Sequence, residues 1–207
     1  MEYSHFIITQ FNLRNFPLAE NNEYESWLQW TRNRIVLFRK FCLPSVLNQS
    51  IKSFTWLIYF DSDTPAEFNE FLTELRSFSF INICYCSGID DFNLRYINEV
   101  KKRISPSEKW IITTRIDNDD CLHKDMVKTI QENFIRSHKF LISLASGYIL
   151  DITDTTLSHY FYPQSPFISL IEDPGKDVNG VFEKGHTRWG SLRLFVFNEI
   201  WLAGLPL

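Results

Sequence analysis

Residues 110–120 read Trp-Ile-Ile-Thr-Thr-Arg-Ile-Asp-Asn-Asp-Asp, an apolar, β-branched run ending in three carboxylates within four positions. Asp117, Asp119 and Asp120 at the end of one strand repel one another strongly, and such a cluster usually persists where positive charge sits within it. A divalent cation is the most economical source of that charge, and a cation at a strand end is a common way to hold a diphosphate. Mg2+ and Mn2+ favour oxygen ligands, often one or two carboxylates together with substrate phosphates. The plainer reading is a solvated turn whose Asp caps the next helix, but three acids after an apolar strand exceed what a cap requires. A calcium EF-hand fits poorly: counted from Asp117, Leu122 stands where the loop needs Gly and Lys128 where it needs Glu. There is no P-loop, no Gly-x-Gly-x-x-Gly and no Gly-x-Ser-x-Gly elbow.

The elements that must position these acids alternate. Phe6–Thr9 reads as a strand, followed by Gln10, Asn12 and Arg14. Glu23 to Cys42 has helical spacing in Trp27, Trp30, Leu37, Phe38 and Phe41, with Arg32, Arg34, Arg39 and Lys40 filling its other positions. Pro44 stops that helix and can open a further turn. Thr55–Phe60 is a second strand, apolar enough for burial on both faces, and ends in Asp61 and Asp63. Thr64, Pro65 and Glu67 form a capping box for a helix to about Phe78. Ile81–Cys86 is a third strand, ending at Gly88, Asp90 and Asp91; a helix runs from about Phe92 to Ile104, and the fourth strand is Trp110–Ile116. A helix from about His123 to Ser137 and a strand-rich stretch, 140–152, follow, and beyond Phe161 prolines and glycines loosen the pattern.

Strand-helix alternation predicts an α/β fold, a Rossmann-like, mostly parallel sheet with helices on both faces. Ligands of such sheets bind beyond the carboxyl ends of the strands. Here those ends carry Asn12 and Arg14, Asp61 and Asp63, Asp90 and Asp91, and Asp117 to Asp120, so the pattern predicts one acidic, metal-competent cleft.

With 207 residues, 44% of them hydrophobic and 19 of them Phe, the chain is long enough for one Phe-rich core, and one domain is preferred to two. A net charge of −4 argues against a nucleic-acid partner. No apolar run is long enough to span a membrane, and the start lacks the basic and apolar regions of a secretory signal. Cys42, Cys84, Cys86 and Cys121 have neither zinc-knuckle nor redox spacing and read as reduced and mostly buried, which favours a cytoplasmic location. The apolar end, Asn198–Leu207, packs on the core, forms an interface or marks a truncation.

Ile111 to Asp120 resembles the Asp-x-Asp segment of A-type glycosyltransferases, nucleotide-sugar-dependent enzymes with a Rossmann-like sheet. Leu43–Gln49 followed by Phe54–Asp61 is similar to the first helix and second strand of family 2 glycosyltransferases. More narrowly, Thr9–Arg14, Trp56–Pro65, Thr114–His123 and Ser165–Glu172 resemble the bacterial putative rhamnosyltransferase family, and the likeness spans most of residues 5–190. One departure is that family 2 enzymes often continue the second strand into Asp-Asp-Gly-Ser, where this chain has Asp61-Ser-Asp-Thr-Pro.

The resemblance implies a single glycosyltransferase domain over 1–207, with a nucleotide-sugar-binding half (1–122) and an acceptor-side half (123–207). It places Thr9, Asn12 and Arg14 along the nucleotide pocket and Asp61, with Asp63 as second choice, on the base. Asp117 approaches the ribose or the metal, and Asp119 and Asp120 hold Mn2+ or Mg2+ against the diphosphate. A late His often reaches the metal in A-type enzymes, which makes His186 a candidate ligand. The donor would be a nucleotide sugar, rhamnose if the narrower likeness holds, and the acceptor a growing surface glycan.

Arg115 reads as a phosphate clamp or, preferably, an internal ion pair with one of the Asp residues. His123 reads as a cap or surface group, and His5, His138 and His159 as surface groups. An inverting transfer needs a carboxylate base on the acceptor side, away from the metal. The irregular segment 153–190 is expected to supply it, with Asp173 first, and Glu172 and Asp177 as further candidates. Two rival readings use the same residues: a metal-dependent phosphohydrolase or nucleotidyltransferase, and a nucleotide-sugar-binding module without chemistry.

Overall fold

A computed structural model describes residues 2–15, 21–151, 154–189 and 193–204. The strands are β1 (Tyr3–Gln10), β2 (Thr55–Asp61), β3 (Ile81–Cys86), β4 (Trp110–Arg115), β5 (Cys121–Leu122), β6 (Phe140–Leu150), β7 (Leu157–Phe161), β8 (Ile168–Glu172) and β9 (Arg193–Gly204). The helices are α1 (Asn21–Leu37), α2 (Leu43–Leu47), α3 (Asn69–Arg76), α4 (Gly88–Lys101) and α5 (Met126–Glu132). One sheet runs in the order β3-β2-β1-β4-β8-β6-β9-β5, with β7 paired to β6. β3, β2, β1 and β4 are parallel throughout, as the alternation predicts. The other half is mixed: β8 is antiparallel to both β4 and β6, and β9 is parallel to β6.

β1, β2 and β4 are buried on both faces, so their successive residues serve two cores, whereas edge strand β3 leaves Tyr85 exposed. On one face Ile7, Trp56, Ile58, Phe60 and Ile112 pack with Trp27, Leu28 and Ile35 of α1, Phe71, Leu72 and Leu75 of α3, and Met126, Val127 and Ile130 of α5. On the other, Phe6, Ile8, Leu57, Tyr59 and Ile111 pack with Phe92, Tyr96 and Val100 of α4. Helices therefore cover both faces. Cys42, Cys84 and Cys86 are buried and all four cysteines are free thiols.

Several expectations change. The first helix does not stop at Pro44: a π turn, Phe38–Cys42, carries it into α2. Proline lacks an N–H and its ring crowds the carbonyl one turn back; widening the turn accommodates both. The capping box is absent. Thr64 Oγ1 donates instead to the Asp61 carbonyl at 2.6 Å, and Glu67 pairs with Arg32 of α1. The segment beyond Phe161 is not irregular throughout, because Ile168–Glu172 forms buried β8 in the middle of the sheet. The apolar C-terminal stretch enters the same sheet as β9, on the far side of β6; residues 205–207 and Ile152 lie outside the described residues.

His5 is not a surface group. It is 3% exposed and bridges three strands and a helix. Gln131 of α5 donates to its Nδ1 at 3.2 Å, so Nε2 carries the proton and donates to Thr114 Oγ1 at 2.7 Å, which meets Ser169 Oγ of β8 at 2.7 Å. Burial pushes the His5 pKa down to about 3. The folded protein thus holds His5 neutral, whereas the unfolded chain protonates it below its ordinary value near 6.5. Its contribution is complete above that pH and is lost as the pH falls toward about 3, by about 1.4 kcal/mol per pH unit. The stability advantage of the parent over His5→Gln, measured by urea denaturation, should therefore shrink with that slope from pH 6.5 to pH 4. A difference that stays flat across this range would exclude the assignment.

Candidate functional site

Parallel pairing brings the carboxyl ends of β1 to β4 to one edge, and side chains stitch the loops there together. Asn12 Oδ1 accepts the Asp61 N–H at 3.0 Å and Asn12 Nδ2 donates to Thr64 Oγ1 at 3.2 Å, joining the β1 and β2 loops. Asn118 Nδ2 donates to the Phe11 carbonyl at 2.6 Å, joining β1 to β4. The Ile89 N–H donates to the Arg14 carbonyl at 2.9 Å, joining β1 to the start of α4. That last approach requires Gly88: its φ is +78°, and a Cβ there would lie 2.8 Å from the Arg14 oxygen.

Arg14 and Asp61 form the centre of this arrangement. Asp61 is fully buried, and its carboxylate accepts from Arg14 Nη2 at 2.7 Å, from the Arg14 backbone N–H at 3.1 Å and from the Asp63 N–H at 3.0 Å. The guanidinium also pairs with Asp63 and lies 5.6 Å from the Trp27 ring centre. Burial alone would lower the Arg14 pKa, but the two carboxylates outweigh it and hold it raised. Arg14 Nε is buried with no hydrogen-bond partner among the described residues. Arg14 forms part of a pocket of about 660 Å3 that is walled by Trp27, Trp30 and Ile89. Thr9 lies below the cleft, fully buried, with its hydroxyl accepting from Trp56 Nε1 at 2.9 Å. Direct contact of Asp61 with a base is therefore corrected: its oxygens are enclosed by internal donors. Asp63, its side chain 44% exposed, is the carboxylate at the rim.

At the end of β4 each exposed acid already faces an arginine. Arg115 forms a two-pronged pair with Asp117, at 3.1 and 3.0 Å, as the ion-pair reading anticipated, and stacks on Phe182 at 5.3 Å. Arg34 of α1 pairs with Asp119 and reaches Asn118 Oδ1 at 3.4 Å. Asp120 is only 7% exposed, and burial, then the Asp117 and Asp119 charges, push its pKa well up. Cys42, presented by the π turn, donates to the Asp117 carbonyl at 3.7 Å. The donors are oxygens of the kind Mg2+ and Mn2+ take, with Asp117 and Asp119 accessible. Among the described residues no group of three ligands stands assembled. His186 does not join the acids; its Nδ1 meets the Gln164 carbonyl and its ring faces Tyr162.

Glu172 and Asp173 are removed from the cleft. β8 is antiparallel to β4, so Glu172 pairs with Ile111 at the start of β4, six residues before Asp117. At about 3.3 Å per residue this is roughly 20 Å away, at the opposite sheet edge. Glu172 is fully buried and accepts the N–H groups of Asn179 at 3.1 Å and Gly180 at 2.9 Å. Burial raises its pKa, and these bonds oppose the shift. Asp173 caps its own turn, accepting the Gly175 N–H at 2.9 Å, and Asp177 lies exposed near Lys139 at the same edge. An adjacent-acid pattern on an extended chain does not reveal strand direction, which is what displaced these candidates.

Sequence reasoning also missed Arg34, merging it with the helix's other basic residues. The signal was angular: at 100° per residue Arg34 shares a face with Trp27 and Trp30, whereas Arg32 points away. Arg32 and Arg39 pair with Glu67 and Glu74 at the surface.

The burial of Glu172 implies a structural contribution. Glu172→Gln replaces one acceptor by a donor facing an N–H, and should cost about 1–3 kcal/mol in denaturant stability while leaving ligand binding at the cleft unchanged. A variant as stable as the parent would contradict the cap to Asn179 and Gly180.

Comparison with solved structures finds the same fold in other proteins. The chain is similar to S. aureus TarS, with 10% identity and a TM-score of 0.53 over 99% of this chain and 60% of that one. TarS in complex with UDP-GlcNAc gives 10% identity and 0.52, over 100% and 59%. HddC from Yersinia pseudotuberculosis gives 9% identity and 0.51, over 97% and 93%. At these identities the likeness shows the fold alone, and the chain spans about three fifths of the TarS chains it matches. No curated protein sequence matches. Residues 3–195 match the family described as "Putative rhamnosyl transferase", and the chain belongs to that family.

Proposed function

We propose that this chain is the donor-binding domain of a glycosyltransferase that moves a sugar, rhamnose on the family's name, from a nucleoside diphosphate to a glycan. The observation that carries the reading is the union, at one sheet edge, of an aromatic pocket over a buried arginine and an acidic strand end beside it. TarS, whose fold this chain shares, has been crystallised with UDP-GlcNAc and with UDP.

In this reading the base stacks between Trp27 and Trp30, with Asp63 as acceptor for a pyrimidine imide N–H. Asn12 fixes the β1 and β2 loops, and the Asp61 carboxylate fixes Arg14 beneath the pocket. The diphosphate lies toward the end of β4, where Asp117 and Asp119 would hold Mn2+ or Mg2+ and Asp120 supports the turn from below. A bound cation supplies positive charge to the leaving diphosphate. The acceptor hydroxyl attacks the anomeric carbon as the bond from that carbon to the diphosphate oxygen breaks, and the hydroxyl proton passes to the departing diphosphate or to water. β6 overshoots β4 at this edge and carries β7 with it, and exposed Tyr160, its ring centre 6.2 Å from that of Tyr162, is suited to stacking on sugar rings. The nucleotide-binding half, 1–122, and the acceptor-side half, 123–207, are in this reading divisions of the site and not of the fold, since α5 of the second packs on the parallel strands of the first. Among the described residues no helix is long and apolar enough to cross a membrane.

Mn2+ with UDP or dTDP should stabilise the parent; at about 100 times the dissociation constant the gain is about 2.7 kcal/mol, or roughly 5–10 °C in melting temperature. Asp119→Asn should remove the Mn2+-dependent part and leave the ligand-free melting temperature within a few degrees. No nucleotide-dependent shift in the parent would sink the donor assignment. Phosphate released from a nucleotide sugar at equal rates with and without acceptor would replace transfer by hydrolysis.

The base pocket separates its two carboxylates. Asp63→Asn should weaken the binding of a free pyrimidine nucleoside by about 1–3 kcal/mol with the fold intact. Asp61→Asn, which strips a buried guanidinium of its main partner, should lower global stability by about 3–5 kcal/mol as well as binding. Calorimetric titration with uridine and thymidine, paired with urea denaturation, tests both; an Asp61 variant of unchanged stability would contradict its structural role.

A further inference from the structure

Arg34 has a position that the proposed function does not use. It sits on the inner face of α1, its side chain 17% exposed, with the guanidinium carbon 5.0 Å from the Trp30 ring centre. Its donors engage Asp119 and the Asn118 side-chain oxygen. Its neighbours on the helix behave differently: Arg32 and Arg39 form pairs in which both side chains are largely exposed. Trp30 also walls the pocket over Arg14, so one aromatic ring borders both the pocket and the arginine that closes the acidic turn.

The charges around the turn are matched. Arg115 faces Asp117 and Arg34 faces Asp119, one cation to each accessible acid. The two pairs differ in how readily they can open. Arg115 is two residues from Asp117 on the same strand end and holds both carboxylate oxygens. Arg34 belongs to a different element, shares the nitrogen that pairs with Asp119 with the Asn118 side-chain oxygen, and is anchored by its stack on Trp30. A stacked guanidinium keeps its in-plane N–H donors for an anion.

We infer that Arg34 is an exchangeable counter-ion: it holds Asp119 in the unloaded protein and moves to the donor's diphosphate when a cation is bound at Asp119. Arg34 is then a positioning residue for the leaving group, and it couples two ligands. Freeing Asp119 costs the Arg34 pair, so a cation alone binds weakly. A diphosphate beside Trp30 gives the released guanidinium a new anionic partner, so cation and diphosphate favour each other's binding. The inference rests on the proposed nucleotide and metal sites.

The test is a set of four dissociation constants for Mn2+, from electron paramagnetic resonance of free Mn2+, for the parent and Arg34→Gln, each with and without saturating UDP. For Arg34→Gln, Mn2+ alone should bind roughly 2- to 10-fold tighter, since Asp119 is released from its pair. The enhancement of Mn2+ affinity by UDP, corrected for binding to UDP in solution, should fall roughly tenfold or more. These changes have opposite signs, which a general loss of structure does not produce. Arg34→Lys, which keeps the charge but not the planar stack, should retain weak binding of Mn2+ alone and lose part of the enhancement. A parent that shows the enhancement, with Arg34→Gln matching it in all constants, overturns the inference and leaves the proposed function standing. A parent that binds UDP with no effect of Mn2+ overturns the inference and the metal site together. A parent that binds neither overturns the donor assignment as well.

Discussion

The cleft depends on a buried ion pair. Arg14 and Asp61 sit where the ends of β1 and β2 meet, one nearly and the other fully removed from water. Removing both charges from solvent is costly, and their attraction offsets that cost better the more of the remaining donors and acceptors are satisfied; only Arg14 Nε is left without a partner among the described residues of this pair. Asp61 meets this condition with three N–H donors, and Arg14 adds Asp63 and the Trp27 ring. Loops tied this way cannot drift independently. Asn12 and Asn118 extend the same constraint to β2 and β4, and the close approach at Gly88 extends it to α4. The candidate site is thus a set of strand ends held in fixed relation by polar side chains.

This division explains the distribution of acids. Carboxylates enclosed by donors, Asp61 and Glu172, hold backbone. Those left accessible, Asp63, Asp117 and Asp119, each face an arginine from one side only. Asp120 is buried beside two other acids with no cation within pairing distance among the described residues, and its raised pKa is the electrostatic consequence. An acidic motif of this kind is therefore three different groups: one on its own strand's arginine, one on a helix arginine, and one beneath them.

The second half of the sheet supplies direction. β8 runs against β4 and carries its own start, with Ser165 and Phe167, toward the cleft and its end, with Glu172, away from it. β6 and β7 continue past the strand ends on the same side as the acids.

The sequence by itself determined the parallel half of the fold, because period-two burial on both faces, alternating with helical segments, leaves few other arrangements for β1 to β4. It also determined the acidic edge, since parallel strands must bring Asn12, Asp61, Asp63 and Asp117 to Asp120 to the same side. The Arg115 pair was legible for a similar reason: two residues apart at a strand end, it is a local interaction. What only the tertiary structure decided was non-local. Whether Asp61 faces a ligand or Arg14, 47 positions away, depends on how two loops fold over one another. Whether Arg34 belongs to the surface or to Asp119 depends on the rotation of α1 against the sheet. Whether Glu172 lies in the cleft depends on the direction of β8, and five residues with Ser and Glu among apolar neighbours carry no sign of direction. His5 was misjudged for the same reason, its partners Thr114 and Gln131 being supplied by β4 and α5. Sequence pattern encodes which faces are buried; it does not encode which distant polar group will meet each buried charge, and that pairing sets the chemistry of the site.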